Sequence, residues 1–159
     1  MKRRVAREII VQSLYQMEMN EVNGEEAVNM LLDEATEEND TERVITNEIE
    51  LKSYVLGLVN GVWSHKQAID GLLENYLKGW QISRLSRVDR QILRLAAFEL
   101  LYSNDVPAKV AVNEAIELSK HFGTEESGKF VNGVLGNMIR ELDKLKSAKN
   151  VENVENDPS

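Results

Sequence analysis

Residues 107–136, PAKVAVNEAIELSKHFGTEESGKFVNGVLG, carry two helical patterns separated only by Phe122-Gly123-Thr124. The spacing predicts a helix over 108–122 and a stop at Gly123, where a left-handed C-terminal residue is wanted. Thr124 then caps a second helix carrying Phe130, Val134, Leu135, Met138, Ile139 and Leu142. A reversal this short commits the region to helix-on-helix packing. Glycine inside a helix costs about 1 kcal/mol relative to alanine, so Gly133 implies either a close helix contact or room for something to approach the backbone. Gly57, Gly61 and Gly71 read as tight helix packing.

The rest of the chain follows the same period. Over 3–19, Val5, Ala6, Ile9, Ile10, Ser13, Leu14 and Met17 share one broad face, with Arg3, Arg4, Arg7, Val11 and Tyr15 on the other side. Asn20 and Asn23-Gly24 end that helix, a second follows over about 25–36, and 37–46 reads as a polar, acidic loop. A long pattern from about Asn47 to Leu77, broken near Trp63-Ser64-His65, closes at Gly79. Ser86 with Asp89 three residues on resembles a capping box opening a helix to about Tyr102, and Asn104-Asp105-Val106-Pro107 is a turn. The expected fold is all-α, a helical bundle of two packed three- to four-helix subdomains over 1–79 and 80–145, with a disordered tail over 146–159.

Composition narrows function. The 159 residues suffice for a core without staples, and the absence of cysteine removes thiol chemistry, disulfides and thiolate metal sites. Glu8, Gln12 and Gln16 interrupt any leader-like apolar run and no stretch reaches a membrane span, so a cytoplasmic protein with no membrane association is expected. The two histidines, His65 and His121, have no carboxylate at metal-motif spacing, and no phosphate-binding loop, dinucleotide fingerprint or nucleophile elbow is present. Neither an enzyme nor a cofactor is expected. Glu114/Glu117 and Glu125/Glu126 read as solvated charge or helix-dipole complements rather than acid–base pairs.

The net charge of −8 argues against nucleic acid until its distribution is considered. Residues 1–10 hold Lys2, Arg3, Arg4 and Arg7 against Glu8, whereas 18–50 hold twelve carboxylates against Arg43 alone, a net −11. A basic patch is therefore available at the chain start. Arg4 and Arg7 lie within about 60° on the helix and Tyr15 falls on the same arc, an arrangement in which guanidinium groups hold phosphates and a ring stacks on an unpaired base. The competing reading is solvated charge, with Tyr15 capping the core edge. Lys129-Phe130 has the same ambiguity, since spacing with Val134 and Met138 places Phe130 in the core.

Three separated segments, ARE with VQSLYQ (6–8 and 11–16), RVDRQILRLAAFEL (87–100) and VPAKVAVNEAIELSKHFGTEESGKFVNGVLG (106–136), resemble the NusB family of transcription antitermination factors. The resemblance covers roughly residues 2–142. It implies a non-catalytic fold of two helical lobes that binds single-stranded boxA-type RNA as a heterodimer with NusE, a ribosomal small-subunit protein, within the RNA polymerase antitermination complex on ribosomal RNA transcripts. Carried over by position, the family's arginine-rich start falls on Arg3, Arg4 and Arg7 with Lys2 beside it, its RNA-facing aromatics on Tyr15 and Phe130 next to Lys129, and its regulatory acidic position on Glu126. Val5 interrupts the basic run, leaving fewer contiguous cations. The alternative is a helical protein-interaction module acting on a ribosomal protein without reading RNA.

Overall fold

A computed structural model describes residues 3–38, 42–79, 81–103 and 105–147. Among these the chain is helical throughout, with no strand: α1 (Arg3–Asn20), α2 (Gly24–Glu38), α3 (Glu42–Ser64), α4 (Lys66–Glu74), a 3-10 turn (Ile82–Arg84), α5 (Arg87–Tyr102), α6 (Ala108–Phe122) and α7 (Glu125–Arg140). Further helical turns follow over 142–147, so helix reaches into the segment expected to be tail, and 148–159 lie outside the described residues. No described helix is long and apolar enough to cross a membrane.

The helix boundaries follow from local chemistry. Asn23 Oδ1 accepts from the Glu26 amide at 2.8 Å and opens α2, Ser86 Oγ accepts from the Asp89 amide at 3.1 Å, and Thr124 Oγ1 accepts from the Ser127 amide at 3.3 Å. The expected break near Trp63-Ser64-His65 falls at His65, which separates α3 from α4. Its ring Nδ1 lies 2.8 Å from the Gly61 carbonyl and the ring leans on Tyr102 at 4.4 Å. Gly61 itself answers to packing, because a Cβ there would sit 2.5 Å from Phe98 Cζ, whereas Gly57 and Gly71 have no such neighbour. The acidic segment read as a loop over 37–46 is mostly helix, with α2 running to Glu38 and α3 starting at Glu42. Glutamate is a good helix former, so an acidic run without an apolar stripe can still be helical.

Two helices organise the rest. α1 packs on α2, α3 and α5, while α5 also meets α4, α6 and α7, and α6 pairs with α7. Ala6, Ile10 and Leu14 of α1 and Leu93 and Ala97 of α5 are fully buried where the two halves of the chain meet. Because α1 is covered from more than one side, its buried face is wider than a single stripe. Val11, expected on the outer side, is 1% exposed, and Val5, expected in the core face, is 42% exposed.

A polar network ties this crossing to the middle of the chain. Arg94 donates to both oxygens of Asp70 at 2.7 Å and reaches Glu18 and Gln91, joining α5 to α4 and α1. Arg90 also pairs with Glu18 and donates to the carbonyls of Ile82, Ser83 and Leu85, which fixes the 3-10 turn against α5. These nearly buried guanidinium groups are tolerable because their donors find acceptors.

Gly123 is not left-handed as expected. Its φ is −128° and ψ −126°, and what demands glycine is space: a Cβ would stand 2.8 Å from Ser127 Oγ and 2.9 Å from the Ser119 carbonyl oxygen. Gly123→Ala should therefore destabilise the protein by about 1–3 kcal/mol, the range for forced overpacking. Urea unfolding should show a lower midpoint at unchanged slope. A midpoint equal to wild type would mean that the α6–α7 corner relaxes freely.

Candidate nucleic-acid interface

The three arginines at the start of α1 point to three different helices. Arg3 is exposed and its guanidinium carbon lies 5.9 Å from the centre of the Tyr54 ring on α3, a cation–π contact. Arg4, with 62% of its side chain exposed, holds Glu114 of α6 through Nε and Nη2, both at 3.3 Å. That hydrogen bond and the charge of Glu114 raise the Arg4 pKa above its ordinary value. Arg7 donates to both oxygens of Glu99 on α5 at 3.1 and 3.0 Å, and the two side chains are 4% and 2% exposed. Burial works against the Arg7 charge, but the hydrogen bonds and charge of Glu99 outweigh it and hold the pKa above its ordinary value.

Arg7 is thus corrected from a surface cation to an internal one. Helical angle alone placed it near Arg4, but α5 covers that side of α1 and Glu99 there requires an opposite charge. The surface around Arg4 is also less basic than the sequence implied. The cleft between α1 and α6 is lined by Arg4, Glu8, Glu114, Glu117, Leu118 and His121, with His121 Nε2 3.9 Å from Glu8 Oε1. Glu114 is accordingly a partner of Arg4 rather than free solvated charge.

The remaining candidates occupy other places. Tyr15 is half-buried in a groove of about 380 Å³ with Gln12, Gln16, Leu31, Val88 and Phe122. Phe130 is half-buried against the core, as its spacing indicated, yet also lines a cleft of about 250 Å³ with Lys129 and Tyr76. Lys129 is 74% exposed and pairs with Glu126, 83% exposed, at 3.4 Å. Lys2 lies outside the described residues. Arg3 and Arg4 therefore share the helix start, Lys129, Phe130 and Glu126 share α7, and the cleft that takes Phe130 contains none of the arginines.

Sequence reasoning missed Glu99 and Tyr54 as arginine partners. A signal for the first existed: Glu99 sits among Leu95, Ala96 and Leu100, and a carboxylate on a core face needs a buried counter-charge. Tyr54 had none, because nothing local relates α3 to α1. Arg7→Ala should cost about 3–5 kcal/mol by leaving the Glu99 carboxylate buried and unpaired. Arg4→Ala should leave the urea midpoint near that of wild type, since its pair is open to solvent. Equal losses in the two variants would contradict this division of roles.

The NusB family model matches residues 4–140. The transcription antitermination protein NusB of Acetivibrio thermocellus is 42% identical over 154 residues, covering 96% of this chain and 97% of the relative. Among solved structures, T. maritima NusB superposes with a TM-score of 0.74 at 36% identity, covering 89% of this chain and 92% of that one. A chain from the structure of antitermination factors NusB and NusE in complex with dsRNA superposes with a TM-score of 0.72 at 26% identity, covering 87% and 96%. A match running from the arginines of α1 to the end of α7 shows that this chain belongs to the NusB family.

Proposed function

We propose that the chain is an RNA-binding transcription antitermination factor, acting in the cytoplasm without catalysis, that joins NusE on boxA-type RNA of ribosomal RNA transcripts and supports processive elongation by RNA polymerase. The observation that carries this reading is similarity to NusB antitermination proteins along nearly the whole chain, including the fold of a NusB that assembles with NusE and RNA. The arrangement of charge supports a composite mode. Arg7 is internal and Arg4 is shared with Glu114, so this protein alone offers RNA few cations. NusE supplies the remaining contacts, and affinity rises by joining two partial sites.

In this scheme Arg3, Arg4 and Lys129 meet phosphates, while Tyr15 and Phe130 meet bases or sugars. The resemblance adds Lys2, which lies outside the described residues. Glu126 modulates the site through its pairing with Lys129. The two packed lobes, 1–79 and 80–145, hold α1 and α7 at a fixed separation. Scarcity of free cations favours one rival, a protein-interaction module that engages the ribosomal protein without RNA.

Titration of a labelled boxA-like RNA with and without NusE separates the two. The proposal expects NusE to tighten RNA binding, whereas NusE binding with no RNA-dependent gain supports the rival. For single-stranded RNA, three phosphate contacts give a slope of about −2.1 in log affinity against log salt, and the Arg3→Ala/Arg4→Ala double variant should reduce it to about −0.7. An unchanged slope would remove the start of α1 from the interface.

A further inference from the structure

The arginines at the start of α1 differ in how far their charge is available to a ligand. Arg7 is buried and neutralised by Glu99, so nothing outside the fold reaches it. Arg3 is steadied by the Tyr54 ring, a contact that holds a guanidinium without cancelling its charge. Arg4 is the intermediate case. It stands far enough into solvent to meet a phosphate, yet its Nε and Nη2 are both engaged by the Glu114 carboxylate. Of these three, Arg4 alone can be either silenced or available.

Glu114 is more than a passing neighbour on the surface. Ala111, Ala115 and Leu118 bury the inner side of α6 and fix the helix against the core, so the position of the carboxylate is set by the fold. Its side chain is only 20% exposed, and among the described residues its hydrogen bonds and ion pair all go to Arg4. A carboxylate shielded to that degree favours a cation beside it over water. Glu8 of α1 and Glu117 of α6 line the same cleft and add their charge to that of Glu114 in holding the Arg4 proton. Three carboxylates thus face one guanidinium, and His121 lies beside Glu8 at 3.9 Å. A phosphate approaching this cleft meets excess negative charge until Arg4 turns away from Glu114 towards it.

We propose that Glu114 is a latch on Arg4, a carboxylate that occupies the guanidinium in place of an RNA phosphate and must be displaced whenever RNA binds through this arginine. The inference rests on the RNA-binding reading above and adds a built-in restraint to it. The exchange is chemically simple, because the guanidinium fork matches a carboxylate and a phosphate in the same two-pronged way. Its cost is a partly shielded carboxylate left without its cation. That cost falls on every RNA alike. It lowers binding by the lone chain, whereas a strand held jointly with NusE gains enough from the second site to overcome it.

The test is fluorescence anisotropy of a labelled single-stranded boxA-like RNA with the full chain, alone and with NusE, alongside urea unfolding and RNA-free NusE binding. Glu114→Gln should tighten RNA binding about three- to fivefold in both conditions, the scale of one broken exposed ion pair, with an unfolding midpoint near that of wild type. The gain should vanish when Arg4→Ala is added, so that the double variant binds as Arg4→Ala alone does. Glu117→Gln removes the same charge from the same cleft without touching the hydrogen bonds to Arg4, and should give a smaller gain. Glu114→Asp, which withdraws the carboxylate by one methylene and keeps its charge, should show part of the gain and serves should the glutamine variant fold poorly. Wild type binding RNA with Glu114→Gln no tighter overturns the latch and leaves the function standing. A gain that survives Arg4→Ala, or an equal gain from Glu117→Gln, would reduce the effect to overall charge and also overturn it. Weakened RNA-free NusE binding in Glu114→Gln would place this carboxylate in the protein interface instead. If wild type binds no RNA even with NusE, the functional reading falls and takes the latch with it.

Discussion

The Arg7–Glu99 pair is the constraint around which the molecule is assembled. Both side chains are almost wholly shielded from water where α1 crosses α5, and neither charge is tolerable there without the other. Apolar contacts are permissive about register, whereas a two-pronged guanidinium–carboxylate contact accepts only one. The pair thereby fixes how the first helix sits on the second half of the chain. Arg94, bridging Asp70 and Glu18 farther along the same two helices, repeats the device and brings α4 into the same frame.

That frame decides what α1 can offer a ligand. One of its three described arginines is consumed in holding the helix, and a second is shared with a carboxylate of α6. An acidic protein that needs to meet RNA thus presents restrained rather than abundant positive charge. Partial neutralisation has a logic of its own: a weakly cationic surface avoids binding every polyanion nearby, and selectivity is left to the combination of partners. Specificity would then reside more in aromatic contacts and the joining of partners than in charge.

Most of the fold was legible because helix signals are local. The caps at Ser86 and Thr124, the break at His65 and the apolar faces of α5 and α7 follow from residues three or four apart. The misreadings also have physical causes. Periodicity describes one face of one helix, and α1 touches several neighbours, so Val11 and Arg7 turned inward from the side assigned to solvent. Gly123 was read through backbone conformation when crowding by Ser119 and Ser127 was the reason. The candidate site was less legible than the fold, since the contacts of Arg3, Arg4 and Arg7 join positions far apart in sequence. Gly133 posed a question the sequence alone left open, and the open space around its Cβ position removes close helix packing as the answer.

The reach of the α1 contacts bears on biosynthesis. Arg7 emerges early from the ribosome, but Glu99 is 92 positions later and Glu114 lies 110 beyond Arg4. At translation speeds of about 5–20 residues per second, the first helix waits for roughly 5 to 20 seconds before its counter-charges exist. A prematurely truncated chain ending before α5 would expose the apolar side of that helix with an unpaired guanidinium beside it, a form suited to chaperones and proteases rather than to an assembly. Synthesis through α5 and α6 is in this way a precondition for a fully paired amino-terminal helix.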